Sequence, residues 1–314
     1  MTTQTRVKKR QRKTGLLNPV LSLILVTLIL LIFKETGSCT GTPAERGDVP
    51  GNQSSFNGYA AMDMDDADLA TGSLVLVSRD HPYPFPDGLK LVSIYEHKNN
   101  DYLVRDKNVL VKKDIMECLN DMMTSFADET GLRDVNAVSG HRTSEFQQKL
   151  YDQSLETMGA EHTANYVALP GCSEHHTGLA VDFSIFHLKT GDSAEFDGSG
   201  GYGWFQDYAW TFGFTQRYQE IKSDITRVAD EPWHFRYVGV PHAYYMKQND
   251  LCLEEYVDLL RGYPHDGAHL IIDTGEQKFE VYFCDGMQVQ VPEEGVYIIS
   301  GNNVDGFIVT VSVL

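Results

Sequence analysis

The tightest constraint in this 314-residue chain is one carboxylate, Asp182, set between Val181 and Phe183 in an apolar stretch, residues 178–183, that reads as a strand. A strand of that composition is buried, and a buried carboxylate needs a partner. Candidates stand nearby in the sequence. Ser173-Glu-His175-His176-Thr-Gly178-Leu-Ala-Val-Asp182 supplies two imidazoles just upstream. Glu231-Pro-Trp233-His234-Phe-Arg-Tyr supplies a third, with a glutamate three residues before it, and Ser139-Gly-His141-Arg142-Thr supplies a cation at a strand-to-helix junction. A hydrolytic zinc site needs about three ligands from His and Asp/Glu, with one position open to water. A carboxylate outside the ligand set can take that water's proton, and a fixed cation can hold an oxyanion or grip an anionic substrate group. Strand alternation places His176, rather than His175, on the Asp182 face. Thr177-Gly178 can turn the chain, however, so residue types alone leave both histidines open.

The surrounding pattern is α+β. Leu74–Val77 reads as a short buried strand followed by a proline-rich turn. Asp114-Ile-Met-Glu117 and Ser144-Glu-Phe-Gln147 have capping-box spacing. Ile115, Leu119, Met122, Met123 and Phe126 recur at helical intervals, with Gly131 as the stop. Strands are expected at 135–138 and 234–238, and helices at 204–212 and 251–260. From His269 onward the chain changes character: β-branched runs split by Gly and Asn turns form a small all-β appendage. Ser300-Gly-Asn-Asn303 reads as a hairpin turn there. The central segments lack steady βαβ alternation.

Net charge is −18, with 26 Lys+Arg against 44 Asp+Glu. That balance argues against a nucleic-acid binder with a broad basic face. The basic residues are unevenly placed: Arg6, Lys8, Lys9, Arg10, Arg12 and Lys13 precede Leu16–Phe33, a run without charge. The expected division is a cytoplasmic basic segment (1–15), a membrane-spanning anchor (16–33) and a flexible stem (34–72). A catalytic region (73–262) and the β-rich appendage (263–314) follow. This reading makes the protein a single-pass protein of the cell membrane with an extracytoplasmic catalytic domain. The alternative is a signal peptide and secretion after cleavage. Five scattered cysteines without a C-x-x-C pair exclude a disulfide scaffold and a thiolate zinc site.

Ser173, His175, Gly178, Ala180 and Asp182 match S-x-H-x-x-G-x-A-x-D, and Glu231 through Gly239 match E-P-W-H-F-R-Y-V-G. Ser139-Gly140-His141-Arg142-Thr143 with Gln147 matches S-G-Y-R-S followed by Gln in part, the departures being His141 and Thr143. On these motifs the chain resembles the VanY-type zinc D,D-carboxypeptidases, within the D-Ala-D-Ala carboxypeptidase/dipeptidase family. The resemblance spans roughly residues 74–262. It implies a small antiparallel sheet with flanking helices, the D,D-peptidase/hedgehog-like zinc fold. It also implies Zn²⁺ held by His175, Asp182 and His234, with Glu231 as catalytic base and Arg142 polarising the carbonyl and contacting substrate. Ser173 and Gln147 become substrate-side hydrogen bonders, and His176 a surface or supporting histidine. The implied reaction removes the terminal D-Ala from peptidoglycan stem peptides or a lipid-linked precursor. The alternatives are an L,D-carboxypeptidase, a D,D-dipeptidase, a wall endopeptidase and a non-catalytic zinc-binding module.

Overall fold

Apolar residues at helical spacing do form a helix, Met116–Thr130, with Leu119, Met122, Met123 and Phe126 buried. Gly131 ends it in the left-handed region, its N–H bonding Ala127 O. The computed structural model describes residues 58–313. This helix packs on a mostly antiparallel sheet whose spatial order is Leu103–Val104, Val135–Ser139, Ala180–His187, His234–Tyr237, Phe214–Gln216. Asp192–Glu195 folds back onto Ala180–His187. The first pair is parallel and the rest antiparallel. Phe183, Phe196, Phe205 and Phe235 meet the helix in one core. A second sheet, also antiparallel, orders Leu270–Asp273, Lys278–Asp285, Gly306–Val313 and Val296–Gly301. The α+β class and the all-β C-terminal region are both present.

Several local expectations are corrected. Leu74–Val77 is buried but is not a strand. Its backbone is satisfied largely by side chains instead: Arg236 Nη2 donates to Ser73 O and Val75 O, and Leu74 N–H donates to Ser300 Oγ. The first capping box does not form; a 3₁₀ turn, Lys113–Ile115, leads into the helix without a side-chain cap. The second cap lies one residue earlier, where Thr143 Oγ1 accepts from Phe146 N–H at the start of Ser144–Met158.

Part of the expected stem is also structured. Tyr59–Asp63 is a strand paired antiparallel with Gln288–Pro292. The β-rich region shares a core with the rest of the chain: Leu74, Leu76, Leu253, Tyr256 and Leu260 pack with Leu270, Val281 and Ile308. The expected anchor, 16–33, lies outside the described residues. Among the described residues no helix is long and apolar enough to cross a membrane, so the single-pass membrane placement does not stand. Cys39 lies outside them too, and the other four cysteines, Cys118, Cys172, Cys252 and Cys284, are free.

Candidate active site

Sheet register assembles the site. Ser139, Asp182 and His234 are direct cross-strand partners, so three adjacent strands present them in one row. A bulge between Ala137 and Ser139 shifts the edge of that row, and such bulges re-aim the side chains that follow. Gly140 comes next. A Cβ there would stand 2.0 Å from Leu110 O, so only glycine admits the neighbouring strand.

His175 reaches the row by another route. Residues Glu174–Thr177 form a 3₁₀ turn closed by Gly178 at φ 70°, a conformation that glycine adopts without strain. The turn breaks strand alternation and brings His175 to Asp182, with Nε2 3.1 Å from Oδ2. His234 Nδ1 lies 2.8 Å from Asp182 Oδ1. One ligand atom each from His175, Asp182 and His234 fall within 4.8 Å of one another, and all three residues are buried. His175 Nδ1 bonds Gly140 O at 2.6 Å, which fixes the tautomer and turns Nε2 toward the cluster.

His176, by contrast, is neither at the surface nor in the cluster. It is buried, its Nδ1 bonding Arg142 O at 2.7 Å and its Nε2 accepting from Gly171 N–H at 3.0 Å.

Glu231 enters through a tight turn in which His234 N–H donates to Glu231 O at 3.1 Å. In an extended strand residues three apart would face opposite ways; the turn brings them together, with Glu231 Oε2 3.9 Å from His234 Nδ1. Burial pushes the Glu231 carboxyl up to about 7, partly offset by His234. Burial and Arg142 take His175 down to about 4. For His234, burial alone would lower the pKa, but the Asp182 and Glu174 carboxylates outweigh it and carry it up to about 9. Asp182 is opposed by burial yet held well below the usual carboxylate range by His175 and Arg142.

Arg142 Nη2 donates to Asp182 Oδ2 at 2.5 Å and its Nε donates to Ser139 Oγ at 2.9 Å. Ser173 lines the same cavity as Arg142, Glu231 and Trp233. Gln147 requires correction as a substrate-side group. It is fully buried, its Oε1 accepting from Arg142 Nη1 and its Nε2 donating to Ala168 O, so it orients Arg142.

Sequence reasoning missed Glu174. Its Oε1 accepts from Arg217 Nε and Arg236 Nη1, both at 2.8 Å, while Arg217 grips Glu254 with two further bonds. Burial would raise the Glu174 carboxyl, but the two guanidiniums hold it below the usual carboxylate range. Its Oε2 faces His234 Nε2 at 3.6 Å, and both atoms are buried without a hydrogen-bond partner. A carboxylate behind an imidazole in this way orients the ring and raises its basicity as a metal ligand. The one sequence clue was a glutamate directly beside the two histidines of the motif.

The family described as D-alanyl-D-alanine carboxypeptidase (VanY) matches residues 108–240. A D-alanyl-D-alanine carboxypeptidase of Enterococcus faecium is 33% identical over 248 residues, covering 76% of this chain and 75% of the relative. The bifunctional D-Ala-D-Ala dipeptidase and carboxypeptidase VanXYC of Enterococcus gallinarum is 42% identical over 134 residues, 42% of this chain and 70% of the relative. Among solved structures, the vancomycin resistance D,D-dipeptidase VanXYg, in complex with a D-Ala-D-Ala phosphinate analog, superposes with a TM-score of 0.73 at 33% identity. That likeness covers 82% of this chain and all of the other. The chain belongs to the VanY family of D-alanyl-D-alanine carboxypeptidases.

Proposed function

We propose that the protein is a zinc-dependent D-alanyl-D-alanine carboxypeptidase that removes the terminal D-Ala from peptidoglycan stem peptides. The observation that carries this reading is the convergence of His175, Asp182 and His234 within 4.8 Å, with Glu231 beside them on one cavity. The donor set suits Zn²⁺: two imidazoles and one carboxylate, with a buried and unpartnered Nε2 on His234 facing Glu174. His175, Asp182 and His234 would hold the ion. When bound, zinc supplies Lewis acidity and lowers the pKa of water toward neutrality.

The chain's own residues supply the rest. Glu231, with its carboxyl raised toward neutrality by burial, takes a proton from the attacking water and returns it to the leaving amine. Arg142, held by Ser139 and Gln147, donates toward the developing oxyanion. The turn at Glu174–Thr177 keeps His175 in place, and Glu174 keeps His234 oriented.

A D,D-dipeptidase reading is favoured by one observation, the likeness to VanXYg along that chain's whole length. Mass spectrometry of stem pentapeptide, stem tetrapeptide and free D-Ala-D-Ala after incubation with the zinc-loaded protein separates the readings. Loss of one alanine from the pentapeptide is the expected result. Cleavage of free D-Ala-D-Ala alone selects the dipeptidase, cleavage of the tetrapeptide selects L,D-chemistry, and no cleavage removes the hydrolase reading.

A further inference from the structure

The C-terminal β region lines no part of the active-site cavity, but it holds the polypeptide that does. Residues 77–81, on the polypeptide stretch that follows Leu74–Leu76, form one wall of that cavity. The segment is not part of a sheet, and the turn between the last two strands meets one of its carbonyls, at His81, and three backbone groups of its flanking residues Leu76 and Pro82. Asn303 Nδ2 lies 3.0 Å from Leu76 O, 3.3 Å from His81 O and 3.1 Å from Pro82 O. Leu76 N–H donates to Asn302 O at 3.1 Å. The wall bridges onward to the far side of the cavity mouth: Asp80 pairs with Arg227 at 3.2 Å, and Arg79 donates to Ala164 O.

The turn that presents Asn303 is itself rigidly held. Asn302 Oδ1 accepts from the amides of Val304, Asp305 and Gly306. Asp305 is clamped by Arg261 at the end of the Leu253–Leu260 helix. Asn303 adopts φ 60°, a left-handed conformation that Asn and Gly tolerate, and its own N–H bonds Leu69 O at 2.8 Å.

Three carbonyls converging on one carboxamide would otherwise repel one another, so this donor decides where the wall sits. A second link runs toward the catalytic residues. Tyr83 N–H donates to Gly171 O at 2.7 Å, and Gly171 N–H donates to the His176 ring that bonds Arg142 O.

We propose that Asn303 is a positioning residue for substrate: through its carboxamide the β region holds the 77–81 wall in the geometry that seats a D-Ala-D-Ala-terminated peptide. This rests on the hydrolase reading above. Asn303 touches neither the metal cluster nor Glu231, so its effect falls on binding and leaves the chemical step alone.

Full-length zinc-loaded wild type, Asn303→Asp and Asn303→Gly test it. Aspartate keeps the shape but turns an oxygen toward three carbonyls, while glycine keeps the positive φ and removes the donor. For Asn303→Asp, KM for a D-Ala-D-Ala-ended pentapeptide should rise about tenfold, the worth of one or two hydrogen bonds, with kcat within about twofold. Zinc content should stay at the wild-type level, and hydrogen exchange at the Ser78 and His81 amides should accelerate, with Asn303→Gly intermediate. Unchanged exchange and KM in both variants overturn the proposal. So does a joint fall of kcat, zinc content and global stability, which would make Asn303 a general structural residue. If wild type releases no D-Ala, the hydrolase reading fails by itself, and the exchange measurement still decides whether Asn303 holds the wall.

Discussion

The sheet that carries Asp182 and His234 and the sheet that closes the C-terminal region are both largely antiparallel and both buried, yet they rely on charge to different degrees. Around the first, Glu174, Arg217 and Arg236, all buried, form with the partly exposed Glu254 a quartet of two cations and two anions. Over the second, Tyr282, Phe307, Val309 and Val311 pack with Val289 and Val291 of the neighbouring strand pair as an apolar cluster, and a buried Glu280 is met by His269. Its boundary with the helices carries neutral polar contacts, such as His242 between Tyr256 and Thr310. The difference is one of purpose. Apolar packing gives stability without fixing any ring or carboxylate, whereas a paired charge network holds His234 and the approach to His175 in one orientation, at the desolvation cost of buried ions.

The largest expected effect is on chemistry at the first sheet. Glu231→Gln keeps shape but cannot accept a proton, so kcat should fall roughly 10²–10⁴-fold while zinc content stays at the wild-type level. Atomic absorption and a coupled D-Ala release assay read both quantities on the same sample. Loss of zinc would make Glu231 a ligand, and full activity would remove it from the mechanism.

Next comes the charge quartet. Arg236 is fully buried and serves Glu174 together with the Ser73 and Val75 carbonyls. Arg236→Met should destabilise the fold by about 3–5 kcal/mol in urea unfolding, because it leaves part of a buried charge uncompensated. The double variant Glu174→Gln/Arg236→Met should recover part of that loss. If the single variant costs less than about 1 kcal/mol, in the range of an exposed ion pair, the contrast between the two sheets disappears.

What could be read from sequence divides along the same line. The β-branched runs after His269 announce their sheet because packing preference is a local property of each residue. Asp182 and His234 stand out because a carboxylate or an imidazole in an apolar strand needs a reason. The supporting charges could not be found this way. Glu174 lies 43 residues from Arg217 and 62 from Arg236, and only the completed sheet brings them together.

His175 could not be told from His176 by alternation, since the 3₁₀ turn at Glu174–Thr177 cancels the period on which alternation depends. Leu74–Val77 has the composition of a strand, but its hydrogen-bond partners are side chains of Arg236, Ser300 and Asn303 and a single backbone carbonyl, Asn302 O, which no pairing rule anticipates. Gln147 fits a capping box by spacing, yet its amide is taken by Arg142 and Ala168.

The smallest of these effects tests the neutral character of the second sheet's boundary. His242 sits on the Val240–Gln248 helix, buried, with Nδ1 2.8 Å from Tyr256 Oη and Nε2 3.1 Å from Thr310 Oγ1. Burial takes its pKa down to about 3, against about 6.5 in an unfolded chain. Between those values the unfolded state binds a proton that the folded state refuses. Stability from this group is therefore complete above pH 6.5 and is lost as pH falls toward 3. The expected loss is about 1.4 kcal/mol between pH 7.5 and pH 5.5, about 1 kcal/mol of it below pH 6.5. Glu231 and the histidines of the metal cluster also titrate, so the measurement is a difference. His242→Gln retains hydrogen-bonding groups on both sides but does not titrate. Urea unfolding of wild type and His242→Gln at pH 7.5, 6.5 and 5.5 should give a stability gap that shifts by about that amount in favour of the variant as pH drops. Parallel pH profiles would mean that His242 takes up its proton in the folded state, and the boundary of the second sheet would then rely on charge much as the first sheet does.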